Sequence, residues 1–483
     1  MKSKIYLPIV ILVAMLLSIA CKKQAVITPP GGGSGSTNKP PVADAGPDQT
    51  IMILTYYSGT ASLNGSGSHD SSGMSMQFYW RQIAGPVNGF LQNAGQKECR
   101  VYSINTPGTY SFELEVWNTH GSDLDTTDIT VSIPPYCQPD RSEFPVSLTL
   151  LSELPGNIQV SEIIAAGNKL FMPAWFNNFT GTYSKNIHVY DRITQNWTII
   201  QASQARSGVA TIATDGKVFF AGGLDSSFNA ISVVDIYDMA TNTWSVTNLS
   251  ESRGDCQAVV SGSKIFFAGG QKNDYVLSNK VDIYDLETGS WSSSSLPAGA
   301  RIVGAAVTAQ NKVLFCGGYT QFGAGSMLGY SATTPTASID IYDVNTGQWS
   351  VSAMQVNKGS FAAINVNEKV LLAGGEVNYA ATFHVEELNV NTMNSSSSCL
   401  FQPMYGGGRT AIQKDDKLLF FAYARGFSGI QENKFDIYNI QTGVWSIGIL
   451  PPDLIPSGAF TSVASVNDEI YAVIDNKLYK MNL

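Results

Sequence analysis

Between residues 41 and 134 the apolar positions come in short alternating runs. In Tyr110-Ser111-Phe112-Glu113-Leu114-Glu115-Val116 every second side chain is apolar, the period-2 signature of a half-buried strand. Gln77-Phe78-Tyr79-Trp80 and Asp128-Ile129-Thr130-Val131 read as further strands, separated by turns rich in Gly, Asn and Ser. Such strands predict a small β-sandwich over 41–134. From residue 145 a longer rhythm takes over. Lys217-Val218-Phe219-Phe220, Lys264-Ile265-Phe266-Phe267, Lys312-Val313-Leu314-Phe315 and Lys369-Val370-Leu371-Leu372 start 47, 48 and 57 residues apart. Each run ends in a glycine pair: Gly222-Gly223, Gly269-Gly270, Gly317-Gly318 and Gly374-Gly375. Degenerate copies begin at Lys169, Lys417 and Glu469. Five times a Tyr is followed seven residues later by a Trp, at Tyr190/Trp197, Tyr237/Trp244, Tyr284/Trp291, Tyr342/Trp349 and Tyr438/Trp445.

A repeat of this kind supplies four short strands whose two apolar faces cannot be buried alone, so neighbouring repeats must bury them. The glycine pair lets backbone pass where a side chain would clash, and the Trp fills the gap between repeats. Seven inner runs predict seven blades, with six as the alternative. The seventh run lies too near Leu483 to have its own outer strand. The segment from Val146 to Glu153 lines up with the outer strand Trp244 to Glu251, so residues 146–153 are expected to complete the last blade. That closure removes exposed sheet edges.

The glycine pair, Tyr and Trp at a period near 50 resemble the kelch repeat, which implies a β-propeller over 145–483. The opening Pro41-Val42-Ala43-Asp44-Ala45-Gly46-Pro47-Asp48-Gln49, then Leu63-Asn64-Gly65-Ser66-Gly67-Ser68 and Trp80-Arg81-Gln82 with Gly85-Pro86, resemble a PKD-type domain. The Trp-x-Phe-Gly-Asp-Gly segment of that family is absent, as in a divergent branch. Such domains act as spacers or weak binding modules, and Trp80 reads as core rather than ligand platform. The fold class is therefore all-β, an N-terminal PKD/Ig-like sandwich followed by a kelch-type propeller.

Composition narrows the partners. Charged residues are 14% of the chain and the net charge is −9. No basic block suits nucleic acid, which needs clustered Lys and Arg. At the amino terminus Lys2 and Lys4 precede an apolar stretch from Ile5 to Ala20, the order of an export signal. Ser18-Ile19-Ala20-Cys21 resembles the lipobox of bacterial lipoproteins, with Ser18 where a bulky residue is usual. The resemblance implies a signal peptide over 1–20, lipidation of Cys21 and an outer-membrane lipoprotein facing the periplasm or the cell surface. Residues 21–40 then form the anchor and a Pro/Gly-rich tether.

Catalytic signatures are sparse. The four histidines, His69, His120, His188 and His384, form no His-Glu-x-x-His, and copper chemistry of the galactose-oxidase kind lacks its ligand set; no cofactor or metal is expected. Asp235, Asp282, Asp340, Glu386 and Asp436 recur at one place in each repeat and read as repeat structure. Of the remaining cysteines, Cys256 and Cys316 read as buried, while Cys99 and Cys137 are free to pair or not. One constellation stands out. Arg206, Arg253, Arg301 and Lys358 each lie eleven residues before the lysine of the second strand, with Arg409 as a displaced fifth member. They are expected to ring one mouth of the propeller, rimmed by Trp175, Tyr275, Tyr330, Tyr379 and Phe427. Such a rim suits a glycan or an acidic peptide; the other reading pairs these cations with blade carboxylates.

The expected function is that of a non-enzymatic, lipid-anchored protein binding a glycan or protein at this mouth. The alternatives are a kelch-type enzyme acting on sugars, such as a sialic acid mutarotase using an acid like Glu376, and a scaffold component of a surface complex. Replacing Cys21 by Ser is expected to release the protein from membranes or leave it unprocessed. Detergent phase partitioning checks this, and unchanged partitioning refutes the anchor.

Overall fold

The computed structural model describes residues 39–483 apart from 54–58, 138–140, 157–159, 161, 175, 178–181, 215, 324–330, 333, 378–379, 405–410, 422–432 and 453–461. The protein is all-β. The N-terminal unit packs two sheets. One holds β1 (Gln49–Met52), β3 (Gln77–Ala84), β6 (Gly108–Asn118) and β7 (Gly121–Ser132) in the order β1-β7-β6-β3. The other holds β2 (Ala61–Asn64), β4 (Phe90–Gln92) and β5 (Glu98–Tyr102) in the order β2-β5-β4. Alternation along β6 sends Tyr110, Phe112, Leu114 and Val116 inward against Trp80, Val101 and Ile129. Trp80 is thus a core residue, as its sequence context implied.

Beyond the sandwich, the described residues form seven sheets of four or five strands, antiparallel but for one added edge strand, and two small two-stranded sheets. The first strands of successive sheets touch in order, and that of the last sheet, Ser462–Val466, meets that of the first, Ile164–Ala166. The ring is closed. Its cohesion follows from period-2 geometry in the second strands. In Lys217–Ala221, Val218 and Phe220 pack toward the preceding sheet with Phe171 and Val189. Phe219 and Ala221 pack toward the following one with Ile265 and Phe267. The same division recurs between every pair of neighbours, giving an apolar cluster in each gap around the ring. Each Trp that opens a fourth strand packs on its Tyr with ring centroids 5.0–5.1 Å apart. Trp244 and Trp291 lie against the clusters between sheets, the place expected for them.

The glycine pairs have a steric reason. A Cβ on Gly222 would stand 2.3 Å from the Arg253 carbonyl of the next sheet, and one on Gly270 would stand 2.4 Å from the Gly254 carbonyl. Both have positive φ, +64° and +102°, so a side chain there meets strain and a clash together.

The last sheet is completed from far upstream. Strand β9 (Ser147–Glu153) pairs antiparallel with Lys477–Asn482. The sequence did not foresee β8 (Glu143–Pro145), which adds in parallel to the outer strand Trp445–Ile449 of the sixth sheet. The connection before it is tied down as well. Cys137 forms a disulfide with Cys399 across 262 residues of chain, Cα–Cα 5.1 Å. Cys99 is buried in the sandwich and does not pair with Cys137. Cys256 and Cys316 are buried free thiols, and burial pushes Cys316 up to about 12, leaving an inert side chain.

Deleting residues 141–155 strips β8 and β9 and exposes the edges and apolar flanks of two sheets. The whole ring is expected to lose stability, seen as a lower melting temperature and as amide exchange spreading beyond the sixth and seventh sheets. An unchanged melting temperature would refute closure by β9.

Candidate functional site

The loop before each first strand and the turn between second and third strands open on one face of the ring, and short backbone bridges join them: Ser207 to Leu224, Gly254 to Gln271, Gly359 to Glu376. The backbones of Arg206, Arg253, Arg301 and Lys358 stand here, as the repeat spacing implied. Their side chains do not line an open mouth. All four are buried to 1% exposure or less, which corrects the expected cationic rim.

Each cation runs inward beneath its own blade. Arg206 donates to the Phe220 carbonyl at 2.9 Å and to Asp235 at 2.7 Å. Arg253 does the same with the Phe267 carbonyl at 3.0 Å and Asp282 at 2.6 Å. Arg301 lies 2.6 Å from Asp340 and donates to the carbonyls of Phe315 and Gly317. The acceptor carbonyl belongs to the residue paired with the acid across strands two and three, as in Phe220 and Asp235. One guanidinium therefore ties the blade's entry to both inner strands, and the carboxylates are the structural repeat feature that their spacing suggested.

The fifth sheet departs from this pattern. Lys358 donates to the carbonyls of Leu372, at 2.8 Å, and His384, while Glu386 Oε1 is left without a hydrogen-bond partner. Burial lowers the Lys358 ammonium to about 8. His384 falls to about 3, chiefly through burial and then through Lys358. In the sixth sheet Asp436 receives a cation from the inter-unit connection. Arg141 Nη1 bonds it at 2.5 Å, and Nη2 bonds the Cys399 carbonyl beside the disulfide. Burial pushes Asp436 up to about 7, although Arg141 pulls it the other way. Arg409, the repeat cation of that sheet, lies outside the described residues, as do Trp175, Tyr330, Tyr379, Phe427 and Cys21.

The turns at the mouth present aromatic rings and both signs of charge, Lys272 standing 3.5 Å from Glu251. Phe228 and Tyr275 are exposed at the tips of adjacent turns, both with positive φ, and Asn273 accepts from the Ala230 amide to lock the two turns together. The residues just after the glycine pairs are Leu224, Gln271, Tyr319 and Glu376. Tyr319 Oη donates to Glu376 Oε2 at 2.8 Å across the boundary between the fourth and fifth sheets. Burial raises the Glu376 carboxyl above its ordinary range, against the opposing pull of that hydrogen bond. Gln271 Nε2 donates to Asp255 at 3.1 Å, and its buried Oε1 has no hydrogen-bond partner. The Tyr319–Glu376 pair was missed from sequence; its signal was the shared place of both residues, directly after a glycine pair. Among the described residues no group of three His, Cys, Asp or Glu side chains could hold a metal ion.

Comparison with known families matches residues 45–131 to the PKD domain of the KIAA0319-like type, and residues 205–247 and 252–295 to the Kelch motif. The chain is 32% identical over 96 residues to the dyslexia-associated protein KIAA0319 of Homo sapiens, and 33% identical over 100 residues to the dyslexia-associated protein KIAA0319-like protein of Mus musculus. Each match takes in 20% of this chain and only 8% and 9% of the respective relative, so the chain spans under a tenth of the curated relatives it matches. A PKD-like domain and a kelch region are the architecture of a binding or scaffold protein.

Truncating one partner of a buried ion pair leaves the other uncompensated, at a cost of about 3–5 kcal/mol. Arg301→Ala is expected to destabilise the propeller by about that amount, and Arg301→Met with Asp340→Leu to restore much of it. Denaturant midpoints check both. Equal stability of Arg301→Ala and the parent would return Arg301 to the surface role.

Proposed function

We propose that this is an exported, lipid-anchored binding protein that holds a glycan or protein partner at the propeller mouth without transforming it. The observation that carries the reading is the division of labour at that face: the repeat cations are consumed inside the blades, while Phe228 and Tyr275 are exposed at the turn tips and Glu376 is half-buried against the buried Tyr319. Aromatic rings with a few convergent polar groups suit a ligand that is apolar on its faces and hydroxyl-rich at its edges. Lys185 and Lys272 lie in these turns beside the acids, so the face carries both signs of charge and the exposed rings favour a hydroxyl-rich partner over a strongly charged one.

Export has support of its own. A disulfide between residues so distant in sequence persists in oxidising compartments and is rare in reducing ones, in keeping with the signal-like stretch Ile5 to Ala20. A propeller acting on sialic acids would need a cation at the mouth for the substrate carboxylate. Arg206, Arg253, Arg301 and Lys358 hold theirs inside, and the arginines are committed to blade carboxylates, so binding is the preferred reading.

An array of neutral and anionic oligosaccharides, together with pull-down from outer-membrane extracts, tests the mouth. Glu376→Ala and Tyr275→Ala are each expected to weaken the retained partner by about tenfold, equal to 1.4 kcal/mol. Melting temperatures should stay within a degree or two of the parent. Undiminished binding by both variants would remove the mouth from the function.

A further inference from the structure

The outward face of the sandwich carries a groove that the propeller reading does not use. Along β6 the inward row is core and the outward row is Ser111, Glu113, Glu115 and Trp117. Polar residues hold that row until Trp117, which is 37% exposed. On β3, Tyr79 faces Glu115 and Gln77 faces Trp117. Tyr79, 47% exposed, and Trp117 are thus diagonal neighbours on one strand pair, close enough to act together. Between and beside them lies a shallow groove of about 400 Å³, lined also by Glu115, Asn118, Gly121 and Ser122.

One end of the groove is held in place. Asn118 Nδ2 donates to Asp70 at 3.0 Å and to the Lys39 carbonyl, while its Oδ1 accepts from the His120 amide at 2.7 Å. The hairpin that bounds the groove is therefore fixed by hydrogen bonds at its turn. The neighbouring charge is net negative. Arg81 is spent in an ion pair with Glu113 and lies 3.9 Å from Glu115, which leaves one carboxylate in excess beside the rings.

We propose that this groove binds a neutral polysaccharide, with sugar rings lying on Tyr79 and Trp117 and hydroxyls reaching Glu115 and Ser122. The volume falls within the range of small-ligand clefts. A sugar ring has an apolar C–H face that an aromatic plane covers and an equatorial rim of donors that a carboxylate accepts. Two rings with a carboxylate beside both match that pattern. A stable protein partner would need about 800 Å² on each side, far more than this groove offers. Uronic or sulfated chains would meet Glu113 and Glu115, so they are excluded by charge.

Affinity electrophoresis of the full chain in native gels tests the site, using a β-glucan, a galactomannan and a xylan as neutral probes and alginate as the anionic one. Retardation by at least one neutral probe and none by alginate is expected. Trp117→Ala and Tyr79→Ala should each raise the dissociation constant at least about tenfold with the melting temperature unchanged. Where Trp117→Ala unfolds the sandwich, Trp117→Phe keeps a ring and should keep partial affinity. Val246→Ala, at an exposed position on an outer strand of the propeller that belongs to neither proposed site, should leave this retardation intact. No retardation by any neutral probe, retardation by alginate alone, or full retardation of both aromatic variants overturns the proposal.

Discussion

A four-stranded sheet that is apolar on both faces can be stable only between two others. That constraint organises the propeller. In Lys217–Ala221 the side chains alternate so strictly that Val218 and Phe220 belong to one interface and Phe219 and Ala221 to the next. No sheet owns a core; each core belongs to a gap. An open ring would leave two half-cores facing water, and burying a single Phe or Ile side chain is worth about 1.5–3 kcal/mol. Closure by β9 therefore matters to every sheet in the ring, because the last gap, with Leu154, Leu170, Tyr471 and Leu478, exists only when the ends meet.

Apolar gaps hold sheets together without fixing how strands enter them. The buried cation does that. Arg206, Arg253 and Arg301 each join the loop before strand one to a strand-two carbonyl and a strand-three acid. Such pairs add little net stability, since desolvation offsets most of the attraction, but losing one partner is costly. What they fix is the position of the entering loop, which each guanidinium holds against both inner strands at once. In the sixth sheet Arg141 reaches Asp436 from the connection between the two units, next to Cys137–Cys399 and just ahead of β8. The connection is therefore a strap built into the ring, and the carboxylate that the repeat supplies is what anchors it.

Much of this was legible in the sequence because it repeats. Spacing gave the inner strands, the glycine pairs, the Trp positions between sheets and the completion of the last sheet by residues 146–153. Repetition was also the source of the main error. Arg206, Arg253, Arg301 and Lys358 were placed on the correct face, and spacing says where a backbone turns but not whether a long side chain points out or folds under. Asp235, Asp282 and Asp340, each two positions before a Tyr, held the missing information: a carboxylate on a buried strand needs a cation, and Arg206, Arg253 and Arg301 lie within reach. Arg141 and β8 were invisible for the opposite reason. They occur once, outside the repeat, and their partners lie about 300 residues away.

The same physics bears on where a ligand can sit. A guanidinium that is both desolvated and paired cannot be redirected to a visitor without first breaking the pair, at a cost of several kcal/mol, which few single contacts repay. Binding groups must then be those that the architecture does not need. On the propeller the proposed groups are the rings exposed at the turn tips, Phe228 and Tyr275, which stand above a frame that repeats beneath them. On the sandwich they are the outward positions of strands whose inward positions are fully committed, such as Trp117 beside Val116. Variation at places that packing leaves free is how a repetitive fold acquires a particular partner.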